Sequence, residues 1–391
     1  MDVIRTISLG EKVDLVARLL FCGKSFRHRA LNPLLTISVP LVFMRETIKT
    51  VTTAVQRGLP VKEYMVATVV RTLMTCFTER QMLYLNGPTS QTYQTWIQKE
   101  AKTRNLSSVE DTVVLADGTT MLHWIKKTKD KASKVVLLFH GGGYYIPIAP
   151  GHINWCSSII NASGSTTKTM AAAVLEYDLT TQQKYPRQLQ QATLALQHLL
   201  KLGYQPRDIF IGGDSAGGHL SLSLLSHLMH KHPSAPSLNI SGPLAGAFLI
   251  SPWVNDDYST ASFRQNAWID MLPHRIIPDV STFFIPSHIR QAESKKKQGW
   301  AMAQDADDDW WRMLADVVSN VYIMAGEQEL FRDHVVIFAN MLRKQAPKCR
   351  IKLEVGVGEA HDHMLLWEML NSRENPALRR LDEWFVTVLQ E

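Results

Sequence analysis

Cysteine is scarce in this sequence, with four residues in a chain of 391. The four positions are Cys22, Cys76, Cys156 and Cys349. They are too few and too far apart to form a disulfide framework or a zinc cluster. This scarcity excludes a small fold held together by disulfides, and it favours a reducing compartment. We therefore predict a cytoplasmic protein and expect no metal site.

A concentration of charge of one sign is also missing. The chain carries 42 Lys and Arg against 36 Asp and Glu, and the basic residues are scattered along it. The one tight run, Lys295-Lys296-Lys297, is typical of a solvated loop, so we expect no nucleic-acid partner. Because 45% of the residues are hydrophobic and 20% are charged, the composition excludes a disordered or collagen-like chain.

Apolar runs are too short to cross a bilayer. The most apolar early stretch, residues 31–44, contains Pro33 and Pro40. We expect this stretch to be buried in the protein, and peripheral contact with a membrane stays open. Residues 1–30 carry several charges and no uninterrupted apolar segment, so no secretory signal is predicted. The sequence thus predicts a soluble globular protein without a transmembrane anchor, and its oligomeric state stays open.

The first hundred residues are predicted to be helical. Ser8 and Glu11 have the spacing of a capping box at the start of one helix. In a later segment apolar residues recur at helical spacing, and Gly87 is predicted to end that helix. These residues are Val66, Val69, Val70, Leu73, Met74 and Phe77. We predict that residues 1–105 form a helical cap that contributes to a substrate site.

From residue 106 onward the pattern is that of an α/β domain. Two short strand-like segments flank Asp117-Gly118, which predicts a β-hairpin. Further strand-like runs alternate with helical segments, which indicates a mostly parallel, doubly wound sheet over residues 106–391. The alternation stops at about residues 256–316, a stretch that has no strand pattern and holds aromatic residues such as Trp268, Phe284 and Trp311. We predict that this stretch is a cap inserted after the sixth strand.

The segment Gly213-Asp214-Ser215-Ala216-Gly217 has the pattern G-x-S-x-G. It lies between a strand-like run and an amphipathic helix, which is the setting of a nucleophile elbow. On such a sharp turn there is no room for side chains two residues before and after the serine, and the helix N-terminus favours developing negative charge. The pattern predicts that Ser215 is a nucleophile.

Three glycines follow His140 directly after the strand-like run 135–139. Successive glycines let backbone N–H groups approach a tetrahedral oxyanion closely. Upstream of a G-x-S-x-G turn, such a loop predicts an oxyanion hole, which the N–H group of Ala216 would complete.

A serine nucleophile requires a base, and the base requires an orienting carboxylate. In this class of fold the chain order is serine, acid, histidine. His361 is the first histidine after the last strand-like run, and we favour it over His363. Three carboxylates follow the preceding strand-like run, so Glu329, Glu327 and Asp333 all stay open as the acid.

These motifs together resemble the hormone-sensitive-lipase-like group of α/β-hydrolases, and most of all its fungal esterase branch, which includes steryl-acetate hydrolases. The resemblance covers roughly residues 105–391. It implies an α/β-hydrolase fold in which Gly142 and Gly143 are the oxyanion glycines and Ala216 is the third donor.

The same resemblance implies the roles of the remaining residues. Ser215 matches the family's nucleophile and His361 its general base. Glu329 stands where most members have Asp, just ahead of an Arg-Asp pair at Arg332-Asp333. The resemblance therefore implies that Glu329 is the acid, with a side chain one methylene longer than the family's usual aspartate.

The leading functional hypothesis is a serine hydrolase that cleaves a small to medium apolar carboxylic ester, such as an acetylated lipid or natural product. It needs no cofactor. A second hypothesis uses the same triad for acyl transfer, lactonisation or cyclisation in a fungal secondary-metabolite pathway. A third is a small-molecule receptor on the same fold, as in plant gibberellin receptors, which have lost the catalytic histidine. The presence of His361 argues against the third.

Overall fold

The computed structural model describes residues 33–104, 110–125, 132–164, 166–370, 372 and 374–390. The predicted helix that begins at Ser8 lies outside these residues. An eight-stranded sheet forms the centre of the described part. Its strands are β1 Thr112–Val114, β2 Met121–Ile125, β3 Lys134–Phe139, β4 Met170–Glu176, β5 Ile209–Asp214, β6 Gly246–Ile250, β7 Asn320–Gly326 and β8 Arg350–Gly356.

The strands lie in the order β1-β2-β4-β3-β5-β6-β7-β8. β1 and β2 form the predicted hairpin, β2 pairs antiparallel with β4, and all the other pairs are parallel. The central strands are buried on both faces, which explains why the sequence shows them as continuous apolar runs. The predicted mostly parallel α/β sheet is therefore confirmed.

Helices cover both faces of this sheet. They are α5 Pro150–Ser163, α6 Arg187–Lys201, α7 Ala216–Met229, α12 Arg332–Gln345, α13 His363–Met369 and α14 Pro376–Gln390. On α6, Leu189, Ala192 and Leu196 recur at helical spacing and are fully buried on one face of the sheet. On the opposite face, Trp155 of α5 and Phe385 of α14 share a second core. The result is a three-layer α/β/α arrangement.

Four helices precede the sheet in the described part of the chain: α1 Pro33–Arg57, α2 Val61–Cys76, α3 Glu79–Asn86 and α4 Thr89–Arg104. The helical segment that the sequence predicts to run up to Gly87 is in fact two helices, with a break after Cys76. Thr78 begins the second helix with a capping box. Its hydroxyl accepts from the Gln81 N–H, and the side-chain oxygen of Gln81 accepts from the Thr78 N–H. This local bonding ends one helix and starts the next.

The N-terminal helices contact the loops at the carboxyl edge of the sheet. The Tyr64 hydroxyl of α2 donates to the Gly358 carbonyl at 2.7 Å, and the Thr50 hydroxyl of α1 donates to the Trp268 carbonyl at 3.0 Å. Val66, from the predicted apolar face, packs in a small core with residues of the segment after β6 and of the loop after β8. The helices therefore lie against the part of the sheet where the predicted site residues gather.

The segment between β6 and β7 is built from short helices, α8 Ala261–Asn266, α9 Ile277–Phe284, α10 Ser287–Lys295 and α11 Leu314–Val317. Residues 256–316 contain no strand, and the insertion follows the sixth strand as the sequence predicts. Its aromatic residues Phe284, Trp300 and Trp311 are buried in the main core. Among the helices of the described residues, none has both the length and the apolar character needed to span a bilayer.

Candidate active site

Ser215 lies on the turn between β5 and α7. Its backbone has φ 48° and ψ −112°, a sparsely populated conformation for a residue with a side chain. Such strain costs of order 1–3 kcal/mol and persists only where the surroundings fix it. Here the Ser215 N–H donates to the Ile250 carbonyl at 2.8 Å, and its carbonyl accepts from the Trp253 N–H at 3.1 Å. The neighbouring strand β6 thus holds the serine in its turn.

The glycines beside Ser215 are required by close backbone contact. A Cβ atom added to Gly213 or to Gly217 would lie 1.8 Å from the Phe139 carbonyl oxygen. Because that oxygen belongs to the main chain of β3, no side-chain movement could relieve the clash. The geometry therefore gives the physical reason for the glycines two residues before and after the serine.

The glycine loop at the end of β3 adopts conformations that favour glycine. Gly142 has φ 98° and Gly143 has φ 58°, and a Cβ atom on Gly142 would lie 2.6 Å from the Ile146 carbonyl oxygen. The Tyr177 hydroxyl at the end of β4 donates to the His140 carbonyl at 2.7 Å. The loop is thus fixed beside the serine turn, with Ala216 as the first residue of α7.

Asp214 links the glycine loop to the serine turn. Its side chain accepts from the Gly141 N–H at 2.9 Å and lies 3.1 Å from Nε2 of His152. Burial acts to raise the pKa of Asp214, but His152 and the Gly141 N–H outweigh it and hold the pKa below its usual range. Asp214 stands inside the serine motif, so its place in the sequence was visible. Its partner His152 on α5 carried no such signal.

His361 lies in the loop after β8 and is fully buried. Its Nδ1 atom is 3.8 Å from Oε2 of Glu329, and its Nε2 atom is 3.2 Å from Oδ2 of Asp362. The ring of Phe331 packs against it edge to face, with centroids 5.2 Å apart. His363 faces away from this group, because its Nε2 lies 3.1 Å from Glu63 of α2.

Of the three candidate acids, Glu329 is the one that lies beside His361. Its Oε2 atom accepts from the Ser251 hydroxyl at 2.5 Å and from the Gly326 N–H at 3.0 Å. Glu327 instead accepts from the Gly358 N–H at 2.9 Å, and Asp333 accepts from the Ser262 N–H at 2.8 Å. The structure thus brings Glu329 and His361 together and leaves the other two carboxylates in loop and helix contacts.

Two further carboxylates surround His361 that the sequence reasoning did not select. Asp362 is adjacent to it in the chain and has a left-handed backbone with φ 44°. Asp270 comes from the insertion, and its carboxylate accepts from the His361 N–H at 3.0 Å. The position of Asp362 directly after the predicted base His361 was a signal that could have found it, whereas Asp270 is 91 residues away and has no local signal.

These carboxylates determine the electrostatics of the site. Burial acts to lower the pKa of His361, but Asp362, Glu329 and Asp270 outweigh it and raise the pKa well above its usual range. Burial raises the pKa of the Glu329 carboxyl, while the His361 charge and the Ser251 hydroxyl act in the opposite direction. The surroundings therefore favour an imidazolium, the form that a base reaches after it accepts a proton.

The sheet topology, the strained serine turn and the glycine loop define an α/β-hydrolase. Within that class, the chain belongs to the steryl acetyl hydrolase family, because the sequence profile of that family matches residues 36–355. The match includes the glycine loop, the serine turn and Glu329, and it ends before His361.

Curated relatives carry related names. An "Esterase" of Acinetobacter venetianus is 28% identical over 146 residues, which are 37% of this chain and 44% of that protein. "Steryl acetyl hydrolase 1" of Saccharomyces cerevisiae is 29% identical over 126 residues, which are 31% of this chain and 27% of that protein. The chain thus spans about half the length or less of these relatives.

Solved structures share the fold. Carboxyl esterase 2 of Tuber melanosporum aligns with a TM-score of 0.58 at 22% identity, covering 72% of this chain and 87% of that one. An esterase of the bacterial hormone-sensitive lipase family aligns with a TM-score of 0.56 at 20% identity, covering 84% and 98%. At this level of identity the likeness establishes the fold.

Proposed function

We propose that this protein is a serine carboxylic-ester hydrolase that cleaves the acetate ester of an apolar alcohol. The observation that carries the proposal is the strained Ser215 turn beside a glycine loop, with a buried His361–Glu329 pair at the same edge of the sheet. The family match and the names of the relatives support ester hydrolysis. Their steryl and acetyl descriptions support the choice of ester.

In the proposed reaction, the Ser215 hydroxyl attacks the ester carbonyl while His361 accepts its proton. The backbone N–H groups of Gly142, Gly143 and Ala216 stabilise the oxyanion that forms. Glu329 faces Nδ1 of His361, where it orients the ring and stabilises the imidazolium. The imidazolium then protonates the leaving alcohol, and water releases the acyl group from Ser215 by the same steps.

The second ring nitrogen of His361 has to change partner during this cycle. Its Nε2 atom lies 3.2 Å from Asp362, yet the triad mechanism requires this nitrogen to meet the Ser215 hydroxyl. We infer that Nε2 moves from Asp362 to Ser215 when substrate binds. Asp362 then remains near enough to stabilise the imidazolium that proton transfer creates.

A closely packed aromatic cluster supports a short acyl group. Trp253, whose N–H donates to the Ser215 carbonyl, is buried near His219 and Phe284. Phe284 in turn stacks on Tyr144 of the glycine loop, with ring centroids 3.6 Å apart. Because these rings are already in contact, they leave little space on this side of the serine, which suits an acetyl group better than a long chain.

The proposal is tested with p-nitrophenyl esters of two, four and eight carbons and with a steryl acetate. We expect turnover that falls as the acyl chain lengthens, together with labelling by a fluorophosphonate probe. Ser215→Ala is the matched control and should lose both. Mass spectrometry should find free acid and free alcohol. A folded protein that hydrolyses none of these esters and is not labelled would contradict the proposal, and a transferred or cyclised product would indicate a biosynthetic reaction instead.

A further inference from the structure

Asp270 is a fully buried carboxylate in the insertion, just after α8, and it bonds to three separate backbone segments. Its Oδ2 atom accepts from the Leu330 N–H at 2.6 Å. Its Oδ1 atom accepts from the His361 N–H at 3.0 Å and from its neighbour, the Met271 N–H, at 2.6 Å. One side chain thus connects the insertion, the loop after β7 and the loop after β8.

The two distant segments are those that carry the proposed acid and base. Leu330 directly follows Glu329, and the second bond goes to the main chain of His361 itself. A single carboxylate thus holds both loops in a fixed relation. Burial raises the pKa of Asp270, while His361 and the three N–H groups that it accepts from act in the opposite direction. The position of one loop relative to the other matters because it sets the distance between the proposed acid and base, which is 3.8 Å from Oε2 of Glu329 to Nδ1 of His361.

Asp270 is itself anchored from the N-terminal helices. The guanidinium of Arg71 on α2 donates to the Asp270 carbonyl. Arg71 is buried, and it also donates to Glu46 at 2.8 Å and to the Thr50 hydroxyl at 2.6 Å, both on α1. The backbone of Asp270 is therefore held by a buried Arg71 that is itself paired with Glu46, which supports the position of this residue.

We propose that Asp270 is a positioning residue of the reaction, which fixes the Glu329 and His361 loops in register and transmits the packing of the N-terminal helices to them. This inference rests on the proposed serine hydrolase function. It gives the insertion and the N-terminal helices a role in assembling the catalytic pair.

The test replaces Asp270 by asparagine, which has the same shape. The asparagine amide presents N–H groups where one carboxylate oxygen was, so either Leu330 or the pair His361 and Met271 loses its acceptor. If the NH₂ group of asparagine takes the Oδ2 position, only the bond from the Leu330 N–H is lost. We expect this orientation, so the loop that carries Glu329 should lose its bond to residue 270. We expect kcat for p-nitrophenyl acetate to fall roughly tenfold to a hundredfold with KM nearly unchanged.

Glu293→Gln is the matched control. Glu293 is another buried carboxylate of the insertion, and it accepts from the Ala301 N–H at 3.0 Å without contacting either loop. Both variants should lose thermal stability, but only Asp270→Asn should lose turnover per folded molecule. A kcat for Asp270→Asn within twofold of wild type would overturn the proposal.

A second readout does not depend on activity. Asp362, Glu329 and Asp270 are the charged groups that raise the pKa of His361, so Asp270→Asn should lower that pKa in NMR titrations of histidine-labelled protein, and Glu293→Gln should not. If the wild type hydrolyses no ester, the proposed function fails. The change in the pKa of His361 would still test whether Asp270 acts on this histidine. An unchanged pKa would count against it.

Hydrogen exchange of the wild-type protein covers the case in which Asp270→Asn does not fold. The amide protons of Leu330 and His361 should exchange as slowly as those of strand β7, because a buried carboxylate holds both of them. Exchange at the rate of exposed loop amides would overturn the proposal.

Discussion

Replacing Glu329 by glutamine removes the charge from the proposed acid with little change of shape. Its Oε2 atom accepts from the Ser251 hydroxyl and the Gly326 N–H, and the amide oxygen of glutamine can accept both bonds. Oε1 has no hydrogen-bond partner among the residues that the structure describes, so the amide nitrogen can take its place. We expect the variant to fold normally and to lose turnover.

The expected magnitude follows from the distance to the base. Two unit charges 3.8 Å apart interact by about 4 kcal/mol at an effective dielectric constant of about 20. In full this would correspond to about a thousandfold in rate. Asp362 and Asp270 remain beside the imidazolium and carry part of its stabilisation. We therefore expect kcat to fall roughly a hundredfold or more, within the ten-thousandfold loss seen when a triad acid is neutralised.

Steady-state kinetics with p-nitrophenyl acetate measures this loss, with circular dichroism to normalise for folded protein. Glu327→Gln and Asp333→Asn are the matched controls, because their carboxylates bond to the Gly358 N–H and the Ser262 N–H rather than to the base. Both should retain most of the wild-type turnover. If Glu327→Gln is the impaired variant and Glu329→Gln is active, the acid has been assigned two residues out of register.

Three further predictions test the serine turn, the Asp362 carboxylate beside His361 and the N-terminal helices. Gly213→Ala should cost at least about 1–3 kcal/mol of unfolding free energy, measured by denaturant unfolding, since its Cβ would lie 1.8 Å from a backbone oxygen of β3; wild-type stability would contradict the turn geometry. Asp362→Asn should lower the pKa of His361, which must be neutral to accept a proton, so the acid limb of the kcat/KM profile should move to lower pH. An unmoved limb would show that Asp362 does not face the base. A chain that starts near residue 105 should be insoluble or lose ester selectivity, and unchanged kinetics would make the N-terminal helices dispensable.

The sequence predicts the central strands of the sheet well because they are buried on both faces. Each of these strands is a continuous apolar run, so the predicted run 135–139 matches β3 to within one residue. Helix α5, at Pro150–Ser163, had no place in the prediction. Buried residues spread around its circumference and include polar ones such as His152 and Ser157, so it lacks the one-sided apolar pattern that reveals a surface helix.

In the candidate site, too, residues placed by local contacts could be predicted from the sequence, and residues placed by distant contacts could not. The glycines around Ser215 follow from contacts within one turn and its neighbouring strand, so a short motif reports them. The choice among Glu329, Glu327 and Asp333 depends on which side chain turns inward, and spacing alone left it open. Asp270 meets His361 across 91 residues. No periodicity reports such a contact, because it exists only after the insertion has folded onto the sheet.

Glu329 is one methylene longer than the aspartate that the family resemblance leads us to expect, and hydrogen bonds hold the end of its side chain. Ser251, on a left-handed backbone with φ 45° at the end of β6, donates to Oε2 at 2.5 Å, and its own hydroxyl oxygen accepts from the Asp362 N–H at 3.3 Å. One strained residue therefore bonds to both the acid and the residue after the base. Because Oε2 is tethered to Ser251 and lies 3.8 Å from the ring, the direct contact is looser than an ordinary hydrogen bond. A base with a loosely held acid gains from additional negative charge nearby, and Asp362 and Asp270 supply it.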